Sequence, residues 1–184
     1  MSFIKSFLIS FSVLVLAACG HERADNEIFL GVISGPESEL VEVAKHVAQK
    51  EYALKIKIIE FEDYNLPNVA LADGSIDANM FQHQPYLDLA IQYQGFKLVS
   101  IGRTFVFPIG LYSQKIKHLN ELPDGATIAI PIDPSNGARA LRLLAKAKLI
   151  DFADNQDIKL SPKSILTNPK HLKFVELEAA QLPR

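Results

Sequence analysis

The 184-residue sequence contains one cysteine, Cys19, so disulfides within the chain are excluded. Its 19 basic and 21 acidic residues leave a net charge of -2, which excludes the basic surface typical of nucleic-acid-binding proteins. Its five histidines lack the spacing of metal ligands, and no nucleophile motif of an enzyme is present. The composition, 48% hydrophobic and 22% charged, is that of an ordinary globular domain. We therefore expect a packed domain that is not an enzyme and has no metal, cofactor or nucleic-acid partner.

The N-terminus combines Lys5 with an apolar run at 7–16 and two small residues, Ala17 and Ala18. This pattern predicts a secretory signal peptide over residues 1–18. The run is shorter than the roughly 20 apolar residues that a membrane-spanning helix needs. Small residues followed directly by Cys19 resemble the lipobox of bacterial lipoproteins, in which the cysteine thiol is lipidated. The alternative is an ordinary signal peptide with an incidental cysteine. We expect residues 19–27 to be a lipidated cysteine and a linker.

From residue 28 the sequence alternates between short apolar runs and segments with helical periodicity, a pattern typical of an open α/β sheet with helices on both faces. Within the stretch 104–113, Pro108 and Gly110 interrupt an extended segment, which indicates a hinge. The predicted boundaries are a first lobe at 28–107 and a second lobe at 108–184. Predicted strands lie at 28–33, 56–59, 75–81, 96–101, 127–130 and 172–177. The first predicted helix ends at residue 51, and the others lie at 66–72, 85–93, 116–122 and 135–148.

Two loops that follow predicted strands carry unusual chemistry, and ligands of open α/β sheets bind at such loops. In the loop at 131–139, a helix that begins near Ser135 favours an anion at its positive end, Arg139 offers a bidentate pair, and Asn136 offers both donor and acceptor. The alternative is a capped helix with a surface arginine. The loop thus predicts a carboxylate or phosphate site, with that alternative open.

The other loop, at 77–86, places two aromatic residues, Phe81 and Tyr86, beside several polar side chains. So many polar groups suit a mixed pocket better than an apolar interior, where each would need a partner. Tyr64 follows the second strand and would add an aromatic wall on the same edge. The alternative is that the rings are core and the histidine bonds a backbone carbonyl. The polar side chains are Asn79, Gln82, His83 and Gln84.

Several ordered motifs together resemble the NlpA family of methionine-binding lipoproteins. They are GVI at 31–33, DYNLPN at 63–68, IDAN at 76–79, FQH at 81–83, PYL at 85–87, FVFP at 105–108, YS at 112–113, SN at 135–136, Arg139, VELE at 175–178 and QLPR at 181–184. The resemblance implies a periplasmic-binding-protein-like fold of two α/β lobes joined by a hinge. It also implies methionine capture and delivery to an inner-membrane ABC importer, with its permease and ATPase as partners.

The same resemblance implies roles for individual residues. Arg139 would hold the substrate carboxylate, with Asn136 beside it. Three aromatic rings and one imidazole would enclose the thioether, and Phe105 is a weaker candidate for ligand contact. Ile132 departs from the family, which usually has asparagine there. The enclosing residues would be Tyr64, Phe81, His83 and Tyr86.

Family members continue well beyond the QLPR motif, so we expect an incomplete second lobe and a missing C-terminal return to the first lobe. A truncated, binding-defective surface lipoprotein is therefore an alternative function. A secreted hydrolase that uses His83 and Asp77 is a less favoured one. The anchored domain would face the periplasm or the cell surface, and Gly20 after the cysteine favours the outer membrane. The sequence leaves open whether the ligand is L-methionine alone or also D-methionine.

Overall fold

The computed structural model of the chain describes residues 24–153 and 160–183. The predicted signal peptide and Cys19 lie outside this part. Within the described residues, no helix is both long enough and apolar enough to cross a membrane. Of the predicted linker, Asn26 is fixed to the domain, because its side-chain amide donates to the carbonyl of Ala53 at 3.0 Å and its own carbonyl accepts from the Lys55 N–H at 2.8 Å.

The first lobe is built on a parallel sheet of three strands, β1 (Glu27–Ile33), β2 (Lys55–Phe61) and β3 (Ala78–Asn79), in the order β2-β1-β3. The central strand β1 is apolar because it lies between the other two, and Val32 on it is fully buried. Three helices follow these strands in turn, α1 (Pro36–Tyr52), α2 (Leu66–Ala72) and α3 (Gln84–Gln94). Since the strands are parallel, all three strand-to-helix loops lie at one edge of the sheet.

Proline and left-handed residues set the ends of these helices. Each of the three helices has proline in its first two positions, where the missing N–H costs no hydrogen bond. Gly95, at φ 71°, ends α3 in the left-handed conformation that glycine adopts readily. Proline at the helix starts and glycine at the end of α3 agree with the sequence pattern, whereas the capping box suggested by the sequence at 34–37 is absent, because α1 starts after Gly35 without a side-chain cap.

The second lobe pairs β4 (Thr127–Pro131) in parallel with β7 (Lys173–Leu177), and α4 (Pro134–Lys146) follows β4. The short strands β5 (Asp151–Phe152) and β6 (Ile165–Thr167) pair antiparallel. Gly137 allows α4 to approach β4, because a Cβ there would lie 2.8 Å from the Pro131 carbonyl oxygen. The lobe has one apolar core cluster, which includes Leu122, Ile128, Ile130, Leu141, Leu144, Leu149, Ile150, Phe152, Leu160 and Leu172.

The fold differs from three sequence predictions of local structure and contains one strand pair that was not predicted. The strand predicted at 96–101 is absent, and Val99 and Ile101 are 79% and 90% exposed there. The strand predicted at 75–81 is reduced to the two residues of β3, and the helix predicted at 116–122 to a single 3₁₀ turn, Leu119–Glu121. The pair β5 and β6 was not predicted. The three differences that concern strands share one reason: a strand needs a paired neighbour, which apolar periodicity does not identify.

Candidate ligand-binding site

Three aromatic rings meet at the loop edge of the first sheet. Tyr64 follows β2, Phe81 follows β3 and Tyr86 lies in the first turn of α3. Their ring centroids lie 5.8–6.2 Å apart, all in edge-to-face geometry. The Tyr86 hydroxyl donates to the Tyr64 carbonyl at 2.8 Å, so the two loops are also joined by a hydrogen bond. We name these three residues the aromatic cluster. All three are half-buried, so the cluster presents a partly accessible apolar surface.

The loop that carries Tyr64 is shaped by Asp63. One carboxylate oxygen of Asp63 accepts from the N–H groups of Asn65 and Leu66 at 2.7 and 2.9 Å, which satisfies donors at the start of α2. This turn fixes the backbone on either side of Tyr64. The position of the first aromatic ring therefore follows from a local, sequence-encoded turn.

The loop that carries Phe81 is held by three side-chain amides: Asn68, which is buried, and Asn79 and Gln82, which are half-buried. Asn68, only 1% exposed, donates to the Gln82 amide oxygen at 2.9 Å and accepts from the amides of Gln82 and Asn79 at 2.7 and 3.0 Å. The Asn79 amide also donates to the Pro67 carbonyl at 3.1 Å. We name these three residues the amide network.

The amide network corrects the prediction that the polar side chains of this loop face a pocket. Asn79 and Gln82 bond to each other and to Asn68, and the exposed Gln84 donates to Asp88 along α3. These amides support the loop from within. Asn68 was not singled out as a site residue, and its only sequence signal was its place at the end of the DYNLPN motif.

A second chain of hydrogen bonds joins α3 to α4 through His83. Its Nδ1 accepts from the Tyr86 N–H at 3.1 Å, so the ring proton is on Nε2. That Nε2–H donates to the Asn136 amide oxygen at 2.8 Å. The same oxygen accepts from Arg139 Nη1 at 2.9 Å. His83 thus bonds an amide across the lobes rather than the backbone carbonyl considered as its alternative partner.

Arg139 also reaches the segment that connects the lobes. Its Nη2 donates to the Phe107 carbonyl at 3.1 Å. These two contacts hold the guanidinium at the junction of α3, α4 and the connecting segment, and each uses one of its five N–H donors. The arrangement leaves the guanidinium able to pair with an anion. The weaker candidate Phe105 has its ring 5.0 Å from that of Phe107 and lies outside the aromatic cluster.

The start of α4 is capped by its own aspartate, which corrects the prediction that its free N–H groups bind an anion. The Asp133 carboxylate accepts from the Asn136 N–H at 2.9 Å and from the Ser135 hydroxyl at 2.6 Å. It also accepts from the Asn136 side-chain amide at 3.2 Å. A carboxylate there satisfies the helix N-terminus and repels a second anion. Anion binding in this loop therefore depends on Arg139.

The two tyrosines of the aromatic cluster remain neutral phenols. Burial, followed by the charges of Glu37 and Asp133, raises the pKa of Tyr64, although Arg139 partly opposes this. Burial, followed by the charges of Asp133, Glu178, Asp63 and Tyr64, raises the pKa of Tyr86. Both hydroxyls therefore act as hydrogen-bond donors at neutral pH.

Glu37 is a partly buried acid at the start of α1 that the sequence did not single out. Burial raises its pKa from 4.5 to about 7, and a backbone hydrogen bond with Ile33 partly opposes the increase. The folded chain thus binds this proton more tightly than the unfolded chain does. Ionisation therefore lowers the stability of the fold as the pH rises from about 4.5 to about 7, and the full cost remains at higher pH.

A cavity of about 170 Å³ lies beside the start of α4. It shares Asp133 with the site, but none of the six predicted ligand-binding side chains lines it. Of the six, Asn136 is only 9% exposed and the other five are half-buried. Within the described residues, no group of three histidine, aspartate or glutamate side chains is placed to hold a metal ion.

Replacing Tyr86 by phenylalanine tests whether the hydrogen bond between the loops matters. The ring contacts should persist, whereas the loss of the bond to the Tyr64 carbonyl should lower the free energy of unfolding by about 1 kcal/mol. Urea denaturation measures this, with Tyr52→Phe as the control because Tyr52 is 75% exposed. Equal stability of the two variants would show that the loops are held by the rings alone.

Comparison with known proteins places this chain in a family. A model of the NlpA lipoprotein family matches residues 28–184. The D-methionine-binding lipoprotein MetQ of Salmonella typhi is 52% identical over 172 residues, which are 93% of this chain and 64% of that protein. The chain thus spans 64% of the length of this curated relative.

Two solved structures support the same assignment. A periplasmic substrate-binding protein of an ABC transporter from Coxiella burnetii is 59% identical with a TM-score of 0.80, over 84% of this chain and 65% of that one. A nutrient-binding protein from Burkholderia cenocepacia, bound to methionine, is 48% identical with a TM-score of 0.82, over 85% and 66%. The predicted α/β, periplasmic-binding-protein-like fold is confirmed, and the chain belongs to the NlpA lipoprotein family.

Proposed function

We propose that this protein is a lipid-anchored substrate-binding protein that captures methionine and delivers it to an ABC importer. The observation that carries the proposal is the meeting of the aromatic cluster with the bonded residues His83, Asn136 and Arg139. One part is apolar and aromatic, and the other is cationic and polar. A zwitterion with an apolar side chain has the complementary chemistry.

Each part of the ligand has a partner of suitable chemistry. Arg139 would pair with the carboxylate through charge-assisted hydrogen bonds. Its guanidinium is oriented by the hydrogen bond that it donates to the Asn136 amide oxygen. Tyr64, Phe81 and Tyr86 would contact the thioether, and each sulfur–ring contact is favourable by about 0.3–1.5 kcal/mol. His83 would close the space between the two groups, since its ring lies 6.4 Å from that of Tyr86.

The relatives support this assignment through what they bind. The Salmonella typhi relative is named for D-methionine, and the Burkholderia cenocepacia structure contains methionine. The Coxiella burnetii structure is a component of an ABC transporter. By similarity we assign this chain the same role, with no catalytic function, and place it outside the cytoplasm on a lipid at Cys19.

Isothermal titration of the full chain in detergent tests the proposal. Methionine should bind, and both enantiomers should be titrated because the relatives leave the preferred form open. Norleucine, which replaces the sulfur by a methylene, should bind roughly 2- to 150-fold more weakly if one or two ring contacts with sulfur are lost. A chain that melts cooperatively but gives no heat with either enantiomer would contradict the proposal and favour the binding-defective alternative.

A further inference from the structure

The loop after β1 brings a third acidic side chain to the site. β1 is the central strand of the order β2-β1-β3, so its loop lies between the loop of Tyr64 and the loop of Phe81. Glu37 stands in the first turn of the helix that follows β1. The charge of Glu37 contributes to the raised pKa of the Tyr64 phenol, as expected for side chains that follow neighbouring strands at the same sheet edge.

Glu37 differs from the other carboxylates near the aromatic cluster in having a buried oxygen without a hydrogen bond. Asp63 accepts from two backbone N–H groups at the start of α2, and Asp133 is used by Ser135 and Asn136. In contrast, Oε2 of Glu37 is buried and has no hydrogen-bond partner within the described residues. A buried acceptor without a partner costs stability, and such costs concentrate at functional sites.

The proposed ligand lacks one partner that Glu37 can supply. Arg139 and the aromatic cluster account for the carboxylate and the thioether, which leaves the ammonium group. We propose that Glu37 is a further ligand-binding residue and accepts the ammonium of the bound amino acid. This inference rests on the proposed function, and it makes Glu37 the residue that selects amino acids over simple carboxylic acids.

Proton release provides a signature of this contact. With a pKa of about 7, Glu37 is about half protonated at pH 7 in the free chain. A neighbouring ammonium favours the ionised form, so binding should release about half a proton at pH 7. Besides Glu37, the charges that act on the Tyr64 phenol are those of Asp133 and Arg139, and Ser34 donates to Glu60 beside the loop after β1. They are unchanged in a Glu37→Gln variant, so the difference between the two proteins reports Glu37.

The test is a titration of the full chain and its Glu37→Gln variant with methionine and with 4-(methylthio)butanoate, which is methionine without its amino group. The variant should bind methionine roughly 10- to 100-fold more weakly and the amine-free ligand within about twofold of the wild type. Calorimetry in two buffers of different ionisation enthalpy should show that proton release is lost. Glu39→Gln, at an exposed site in the same helical turn, is the control.

Three outcomes would overturn the inference. An equal loss for both ligands would show that Glu37 only supports the fold, and unchanged methionine binding by the variant would show that it makes no contact. Both leave the proposed function intact, because the wild type still binds methionine. A folded wild type that binds neither ligand would contradict the proposed function, and the role of Glu37 with it.

Discussion

Arg139→Ala is expected to reduce the affinity for methionine by roughly a hundredfold or more. The substitution removes the cationic side chain placed to meet the ligand carboxylate, and hydrogen bonds to a charged group contribute about 1.5–3 kcal/mol each. It also removes the donors to the Asn136 amide oxygen and to the Phe107 carbonyl, so the junction between the lobes loses two contacts. Calorimetric titration with methionine measures the effect.

Two control variants separate the effect of the Arg139 side chain from a general loss of positive charge on α4. Lys146→Ala removes an exposed cation from the last turn of the same helix and should leave the affinity within about twofold. Arg139→Lys keeps the charge but cannot bond Asn136 and Phe107 with a planar fork, so an intermediate affinity is expected. Wild-type affinity in Arg139→Ala would show that the carboxylate binds elsewhere.

Asn68→Ala is expected to lower the free energy of unfolding by about 2–4 kcal/mol. Asn68 is fully buried, and its loss would remove both of its hydrogen bonds with Gln82 and the one it accepts from the Asn79 amide, which keeps its bond to the Pro67 carbonyl. Because these amides hold the loop with Phe81 and His83, the affinity for methionine should fall as well. Urea denaturation followed by circular dichroism measures the stability.

The neighbouring Asn65 provides a matched control. Asn65 stands three residues earlier at the start of α2, is exposed, and makes no side-chain capping bond. Asn65→Ala should therefore change the stability by less than about 0.5 kcal/mol. Similar effects of the two substitutions would contradict a special role for the amide network.

The sequence predicted most of the regular elements, because their signals are local. The apolar run of β1, the helical spacing of α1 and α4, and the proline and glycine at the ends of α3 all appear in the fold at nearly the predicted residues. Apart from the helix predicted at 116–122, the wrong predictions of regular elements concern strand pairing. Residues 96–101 have strand propensity but no neighbouring strand, whereas the two short strands β5 and β6 form because the chain brings them together.

The sequence indicated the candidate residues of the site, but not the hydrogen bonds that connect them. Topology requires the loops after parallel strands to share an edge, which is why Tyr64 could be placed near the loop at 77–86 from the sequence. The hydrogen bond from His83 to Asn136 joins residues 53 positions apart, and no local pattern indicates it. The roles of these residues in binding stay predictions until the titrations are made.

By itself the sequence determined the family, the α/β class and the candidate residues, because motifs, periodicity and helix-end signals are properties of short segments. Only the tertiary structure decided which polar groups are free to meet a ligand. In the folded chain, the side chains of Asn79, Gln82 and Asp133 form hydrogen bonds with other protein groups. The guanidinium of Arg139 and one oxygen of Glu37 keep unused hydrogen-bonding capacity. The physical reason is that hydrogen-bond satisfaction depends on which distant groups folding brings within about 3 Å.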